Sequence, residues 1–79
     1  MMTIEYSRQA AKFLDRQPQE ASERIRIAIE QIPRGDIVKL RGQDKYRLRV
    51  GSYRVIFDRL GRVLYIIKID NRGDVYKGL

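Results

Sequence analysis

The chain has 79 residues, which predicts one small domain over residues 1–79, close to the size at which a single core only just offsets chain entropy. It has no cysteine and no histidine, which excludes disulfides, zinc sites built from thiolates or imidazoles, cysteine nucleophiles and imidazole bases. The net charge is +7. No apolar run approaches the roughly 20 residues of a membrane span, and no signal-peptide pattern follows Met1. We therefore expect a cytoplasmic protein without a membrane partner.

The chain begins with a predicted strand and a predicted helix. Met2–Tyr6 is short, alternating and rich in β-prone residues. Ser7 suits the N-cap of a following helix, because its hydroxyl can accept a hydrogen bond from a free N–H of the first turn. In that helix Ala10, Phe13 and Leu14 fall on one apolar stripe.

A second helix has the clearest apolar pattern in the sequence. Pro18 suits its first turn, where the missing N–H is no loss. Five apolar residues share one face at spacings of i, i+4, i+7, i+8 and i+11, namely Ala21, Ile25, Ala28, Ile29 and Ile32. Pro33 and Gly35 end the helix, so the pattern predicts a helical hairpin with one buried side.

The second half of the chain predicts three antiparallel strands, Lys45–Val50, Tyr53–Asp58 and Val63–Asp70. Short turns join them, and a glycine at position 51 suits the first place of a two-residue type II′ turn. The third strand is apolar on both sides, which predicts a central strand covered on both faces. The order β-α-α-β-β-β therefore predicts an α+β fold, with the helical hairpin on one face of a mostly antiparallel sheet.

Pairing outward from the Gly51-Ser52 turn gives the register of the first two of these strands. The apolar residues then fall on the side that the helices bury. On the other side Arg49 lies opposite Arg54, with Arg47 beside them and Lys45 opposite Asp58 at the far end. Like charges directly opposite each other on a sheet are destabilising by up to about 1 kcal/mol.

Two explanations of this arginine cluster stay open. Asp70 or Asp74 folds back to neutralise it, or the cluster binds an anion. The planar fork of arginine suits bidentate contact with phosphate, which predicts a phosphate-binding sheet face. Charge asymmetry supports a polyanionic partner, because residues 39–79 hold eleven of the seventeen Lys and Arg residues and only four of the ten acidic ones.

The tail adds Arg72 and Tyr76, which share a face if this segment forms a helical turn, although Gly73 disfavours one. Tyr76 either stacks on a base and exchanges a proton, or seals the edge of the core. The sequence alone leaves both roles open.

Five stretches of the chain resemble the RelE/ParE superfamily of toxin–antitoxin toxins in their order and spacing. They are YSRQAAKFL (6–14), RIRIAI (24–29), KLRG (39–42), YRLRVGSYRVIF (46–57) and NRGDVY (71–76). The resemblance implies a compact fold of the microbial RNase type. It also implies a toxin that cuts messenger RNA in the ribosomal A site, as RelE-type members do, and that forms a hetero-oligomer with an acidic, RelB-like antitoxin.

The resemblance also implies roles for individual residues. Arg47, Arg49 and Arg54 match the positions that bind the scissile phosphate, Arg72 matches a charge-stabilising arginine, and Tyr76 matches a residue for base stacking or proton transfer. We expect five more basic residues to contact the RNA: Lys39, Arg41, Lys45, Lys68 and Lys77. No metal or cofactor is needed if the cations stabilise the transition state of attack by the ribose 2′-hydroxyl.

Two departures from the family pattern bear on catalysis. Many RelE-type members have lysine where this chain has Arg47 and Arg49, and relatives often have histidine or lysine at the position of Asn71. Arginine stays protonated, so these changes weaken acid–base catalysis and leave phosphate binding intact.

Three functions therefore stay open. The first is a ribosome-dependent endoribonuclease, which the arginine grouping favours. The second is a ParE-like, non-enzymatic inhibitor of DNA gyrase, and the third is a basic module that binds only its antitoxin. All three predict an acidic partner that lies across the helical hairpin or over the basic face.

Overall fold

A five-stranded sheet carries two helices in the computed structural model, which describes residues 3–71. The elements are β1 (Thr3–Tyr6), α1 (Arg8–Arg16), α2 (Gln19–Glu30), β2 (Asp36–Lys39), β3 (Tyr46–Val50), β4 (Tyr53–Leu60) and β5 (Val63–Asn71). The strands lie in the order β1-β5-β4-β3-β2, with β1 parallel to β5 and the other neighbours antiparallel. The predicted α+β fold, a helical hairpin on a mostly antiparallel sheet, is confirmed.

The edge strand β2 is an element that the sequence pattern did not predict. Its four residues, DIVK, contain only two adjacent apolar residues between charged ones, too few to show a period of two. The segment becomes a strand through its pairing with β3. In that pairing Asp36 lies opposite Arg49, and Lys39 lies opposite Tyr46. As a result, β3 is an interior strand and Asp36 joins the same sheet surface as the arginines.

Side-chain hydrogen bonds connect the N-terminal end of α1 to the backbone of β5. Ser7 is the N-cap, as predicted, and its Oγ accepts from the Ala10 N–H at 3.1 Å. The same hydroxyl donates to the Ile67 carbonyl at 2.6 Å. The Gln9 amide donates to the Ile69 carbonyl at 2.8 Å and accepts from its N–H at 2.9 Å. These bonds satisfy backbone groups of β5 beyond the end of its pairing with β1.

We expect Ser7→Ala to lower the free energy of unfolding by about 1–2 kcal/mol, because the helix loses its capping oxygen and the Ile67 carbonyl loses a donor. Urea denaturation of the folded chain measures the change. Ser22→Ala is the matched control, since Ser22 lies inside α2, where alanine is the better helix former. Equal destabilisation by the two substitutions would contradict this role for Ser7.

The core lies between the helices and one face of the sheet. Ala10 and Leu14 of α1 and Ile25 and Ile29 of α2 are buried, which confirms the predicted apolar stripes. They pack with buried sheet residues, namely Leu48, Val50, Val55, Phe57, Leu64, Ile66 and Ile69. The predicted division of β3 and β4 into an apolar side beneath the helices and a basic side on the opposite face is thereby confirmed.

The position of β5 in the sheet and the exposure of its outer face differ from the prediction. It lies between β1 and β4, whereas β4 occupies the centre of the sheet. Tyr65, Lys68 and Asp70 of β5 are only half-buried, so the expectation of a strand covered on both faces is wrong. The polar residues of β5 instead add to the surface that β3 and β4 present. No helix within residues 3–71 is long and apolar enough to cross a membrane.

Candidate nucleic-acid interface

The sheet face away from the helices is here called the open face. Strand register gives its members from β2 to β5: Asp36, Val38, Arg47, Arg49, Arg54, Ile56, Asp58, Leu60, Val63, Tyr65, Lys68 and Asp70. The Gly51 backbone has a φ of +58°, the left-handed conformation that a glycine-first hairpin turn requires. That turn sets the register and places the basic residues of β3 and β4 side by side.

Arg49 and Arg54 carry the least compensated charge on the open face. They lie directly opposite each other, as predicted. Within residues 3–71, Arg49 is exposed and has no ion pair or hydrogen bond. Arg54 is half-buried, and its one hydrogen bond among residues 3–71 runs from Nη1 to the Ser52 carbonyl, at 3.4 Å. Two adjacent guanidiniums are thus available to an anion, at the cost of their mutual repulsion.

Asp70, one of the two acidic residues proposed to neutralise the cluster, makes no ion pair with an arginine among the described residues. Asp70 lies opposite Arg54 in the register of β4 and β5. Its Oδ1 accepts instead from the Asn71 N–H at 2.8 Å, and no ion pair joins it to Arg54 in residues 3–71. The other candidate, Asp74, lies outside the described residues.

Arg47 differs from the other two arginines because an acidic residue compensates its charge. Its Nη2 lies 3.0 Å from Oδ1 of Asp36 on β2. The Arg47 side chain is only 18% exposed, and its Nε is buried without a hydrogen-bond partner among the described residues. Asp58, the acidic residue that the predicted register placed at the far end of the cluster, makes no ion pair with the arginines among the described residues, and its Oδ1 accepts from the Arg59 N–H at 2.7 Å. Asp36 was overlooked because β2 was not predicted.

Ile56 shows how the open face is filled at its centre. It is fully buried (0% exposed) although it does not belong to the core beneath the helices. Register places Arg47 on one side of Ile56 and Lys68 on the other. Long basic side chains bury their methylene stems along apolar surface, and Arg47 and Lys68 are the basic residues directly beside Ile56. The centre of the open face is therefore a buried apolar side chain with basic residues on both sides.

The predicted RNA-binding residues of the β2–β3 connection lie away from the arginine pair. Lys39 lies opposite Tyr46, which places it on the face of the sheet that the helices cover. Its Nζ lies 3.8 Å from Oδ1 of Asp44. Arg41 is exposed in the loop that follows. Lys45 immediately precedes β3, outside the paired residues, so its predicted pairing with Asp58 is not part of the ladder.

Of the remaining predicted site residues, Lys68 lies on the open face, opposite Ile56. Arg72, Tyr76 and Lys77 lie outside the described residues. Within residues 3–71, no group of three or more Asp or Glu side chains could hold a metal ion. The described part of the site therefore consists of the arginine pair, the Arg47–Asp36 ion pair and Lys68.

Solved structures of toxin–antitoxin complexes contain similar folds. The archaeal RelE-RelB complex from Pyrococcus horikoshii OT3 has a chain 31% identical to this one, with a TM-score of 0.72 over 91% of this chain and 96% of that chain. In the RelB-RelE complex from Methanococcus jannaschii the identity is 25%, with a TM-score of 0.74 over 91% and 94% of the two chains. The intact E. coli RelBE complex, at 19% identity and a TM-score of 0.70 over 91% and 98%, shares the fold. No family model and no curated protein matches this chain.

Proposed function

The chain belongs to the RelE/ParE superfamily as a RelE-like toxin of a toxin–antitoxin system, and from this membership we propose that it is an endoribonuclease that cuts messenger RNA in the ribosomal A site. The observation that carries the proposal is the pair Arg49 and Arg54, opposite each other and without a carboxylate partner among residues 3–71. A scissile phosphate supplies the missing anion. Its two free oxygens suit contact with two adjacent planar guanidiniums.

The proposed reaction is an in-line transesterification within the RNA. The ribose 2′-oxygen forms a bond with the adjacent phosphorus, and the bond from phosphorus to the 5′-oxygen breaks. The hydroxyl proton leaves the 2′-oxygen and another proton reaches the 5′-oxygen, so the products are a 2′,3′-cyclic phosphate and a 5′-hydroxyl. Arg49 and Arg54 stabilise the extra negative charge on the phosphorane-like transition state.

Dependence on the ribosome follows from what the arginine pair cannot do. A guanidinium stays protonated, so neither arginine accepts the 2′-hydroxyl proton. Lys68 on the open face, Tyr76 in the tail or a group of the RNA moves that proton, and the ribosome holds the nucleotide in line for attack. Free RNA is therefore expected to be a poor substrate.

We also propose an acidic antitoxin as the protein partner. The solved neighbours are RelE-RelB and RelB-RelE complexes, and the +7 charge of this chain favours an acidic protein. Carboxylates of the antitoxin that reach Arg49 and Arg54 would occupy the place of the phosphate and block cleavage.

Two assays on one preparation separate this function from inhibition of DNA gyrase. We expect the chain to stop cell-free translation of a reporter mRNA and to leave plasmid supercoiling by gyrase unchanged. Gyrase inhibition without an effect on translation would overturn the proposal. The absence of both effects, from protein with the circular dichroism spectrum of an α+β fold, would leave a module that only binds its antitoxin.

We expect Asp36→Asn to raise affinity for single-stranded RNA severalfold at low salt. The substitution removes the charge that holds Arg47 and adds about one phosphate contact, which steepens the slope of log affinity against log salt by about 0.7. Fluorescence anisotropy with a labelled RNA measures both quantities. Asp44→Asn is the control, because Asp44 pairs with Lys39 in the β2–β3 connection. A similar gain for both variants would show a general charge effect and contradict the role given to Asp36.

A further inference from the structure

The open face is polarised along β4. Arg54 lies near one end, and Asp58 lies four residues further on, about 13 Å away along an extended strand. Asp58 is directly opposite Tyr65 of β5, and Tyr65 is in turn opposite Glu5 of β1. One end of the face therefore presents guanidiniums, whereas the other presents a phenol ring between two carboxylates.

These three residues keep unused hydrogen-bonding capacity. Tyr65 is half-buried, and in the part of the chain that the structure describes it has no hydrogen bond, ring contact or ion pair. Glu5 is exposed and likewise has no partner in residues 3–71. The Asp58 Oδ1 accepts from the Arg59 N–H, and its Oδ2 has no hydrogen-bond partner in the described range 3–71.

Packing against the helix-covered core does not explain the partial burial of Tyr65. The partly buried tyrosines that pack against the core are Tyr6, Tyr46 and Tyr53, and Tyr65 is not among them. It lies on the opposite face, on the same surface as the arginine pair. An aromatic ring with a free hydroxyl, set between two carboxylates, thus faces the region where the RNA is proposed to bind.

We propose that Tyr65, Glu5 and Asp58 form a nucleobase site that selects a base with an exocyclic amino group. This inference rests on the proposed function, since it assumes that single-stranded RNA crosses the open face. The ring of Tyr65 provides a stacking surface, which is a common way to hold an unpaired base. The carboxylates accept hydrogen bonds from the amino group, as acidic residues do from cytosine N4.

Charge decides which part of a nucleotide occupies each end. Glu5 and Asp58 repel a phosphate, so the backbone stays over the guanidiniums of Arg49 and Arg54. A base carries no net charge and offers N–H donors that carboxylates can accept. Uracil lacks the exocyclic amino group and offers a single ring N–H, so it is the disfavoured base. The arrangement predicts a base preference a few nucleotides from the cut.

Binding of short RNAs tests the site independently of cleavage. The probes are fluorescein-labelled hexamers of cytidine and of uridine with 2′-O-methyl riboses, which the protein cannot cleave because the nucleophile is blocked. We expect the full chain to bind the cytidine hexamer about tenfold more tightly than the uridine hexamer. Equal affinities, or no measurable binding of either hexamer at low salt, would overturn the inference.

Variants assign the preference to these residues. The double variant Glu5→Gln and Asp58→Asn binds both hexamers more tightly because repulsion is removed, but the tenfold ratio falls to near one. Tyr65→Phe keeps the ratio, whereas Tyr65→Leu weakens binding of both hexamers through the loss of stacking. An unchanged ratio in the double variant overturns the inference. Because no step requires cleavage, failure of the proposed nuclease function would appear only in the ribosome assays and is distinguishable.

Discussion

Arg54→Ala should lower the rate of messenger RNA cleavage on ribosomes by about 100- to 1000-fold, the cost of removing one preorganised donor to a developing oxyanion. Arg54 is half-buried on the central strand, where β3 and β5 flank it. Pairing on both sides fixes the backbone from which the Arg54 side chain reaches the open face. Single-turnover cleavage of an mRNA paused on ribosomes measures the loss, and the circular dichroism spectrum verifies the fold of the variant.

Arg59→Ala is the matched control for Arg54→Ala. Arg59 lies five residues further along the same strand, is exposed, and belongs to the helix side, where it lines a cavity with Ile32 and Phe57. The substitution removes the same charge from β4 without touching the open face, so cleavage should change by no more than about twofold through the loss of long-range attraction. Equal losses in the two variants would mean that net charge, rather than the position of Arg54, drives the reaction.

Ile25→Ala should lower the free energy of unfolding by about 2–5 kcal/mol, the usual cost of replacing a buried isoleucine with alanine. Ile25 is 0% exposed in the middle of α2 and packs in the core between the helices and the sheet. A chain of this size has a total stability of only about 4–12 kcal/mol, so the loss brings the variant near the unfolding threshold. Urea denaturation followed by circular dichroism measures the difference.

Ile27→Ala, two residues further along α2, is the control. Ile27 is 53% exposed, and alanine is the better helix former, so the expected change lies within about 0.5 kcal/mol. A large loss in Ile27→Ala, or no loss in Ile25→Ala, would contradict the assignment of the buried face of α2.

Local chemistry was sufficient to predict much of the fold. The hydroxyl of Ser7 and the spacing from Ala21 to Ile29 indicate the two helices, because capping and a 3.6-residue period are properties of neighbouring residues. Gly51 likewise fixes a tight turn, from which the facing positions of Arg49 and Arg54 follow by counting. These features depend on contacts within about a dozen residues.

Features that depend on distant pairing were not predictable in the same way. The strand β2 exists because β3 pairs with it, so Asp36 as a partner of Arg47 was overlooked. The register of β4 and β5 shifts between Ile56 and Phe57, which no local pattern indicates. Parallel pairing of β1 with β5, which brings Glu5 to Tyr65, joins residues about sixty positions apart.

Primer extension on one mRNA in two states, engaged by ribosomes and free, after incubation with the purified chain, tests the proposed nuclease site most directly. We expect new 5′ ends within A-site codons of the engaged mRNA, few breaks in the free mRNA, and loss of the breaks in Arg54→Ala but not in Arg59→Ala. Intact mRNA on ribosomes in the presence of folded, wild-type chain would contradict the assignment of the open face as a ribosome-dependent nuclease site.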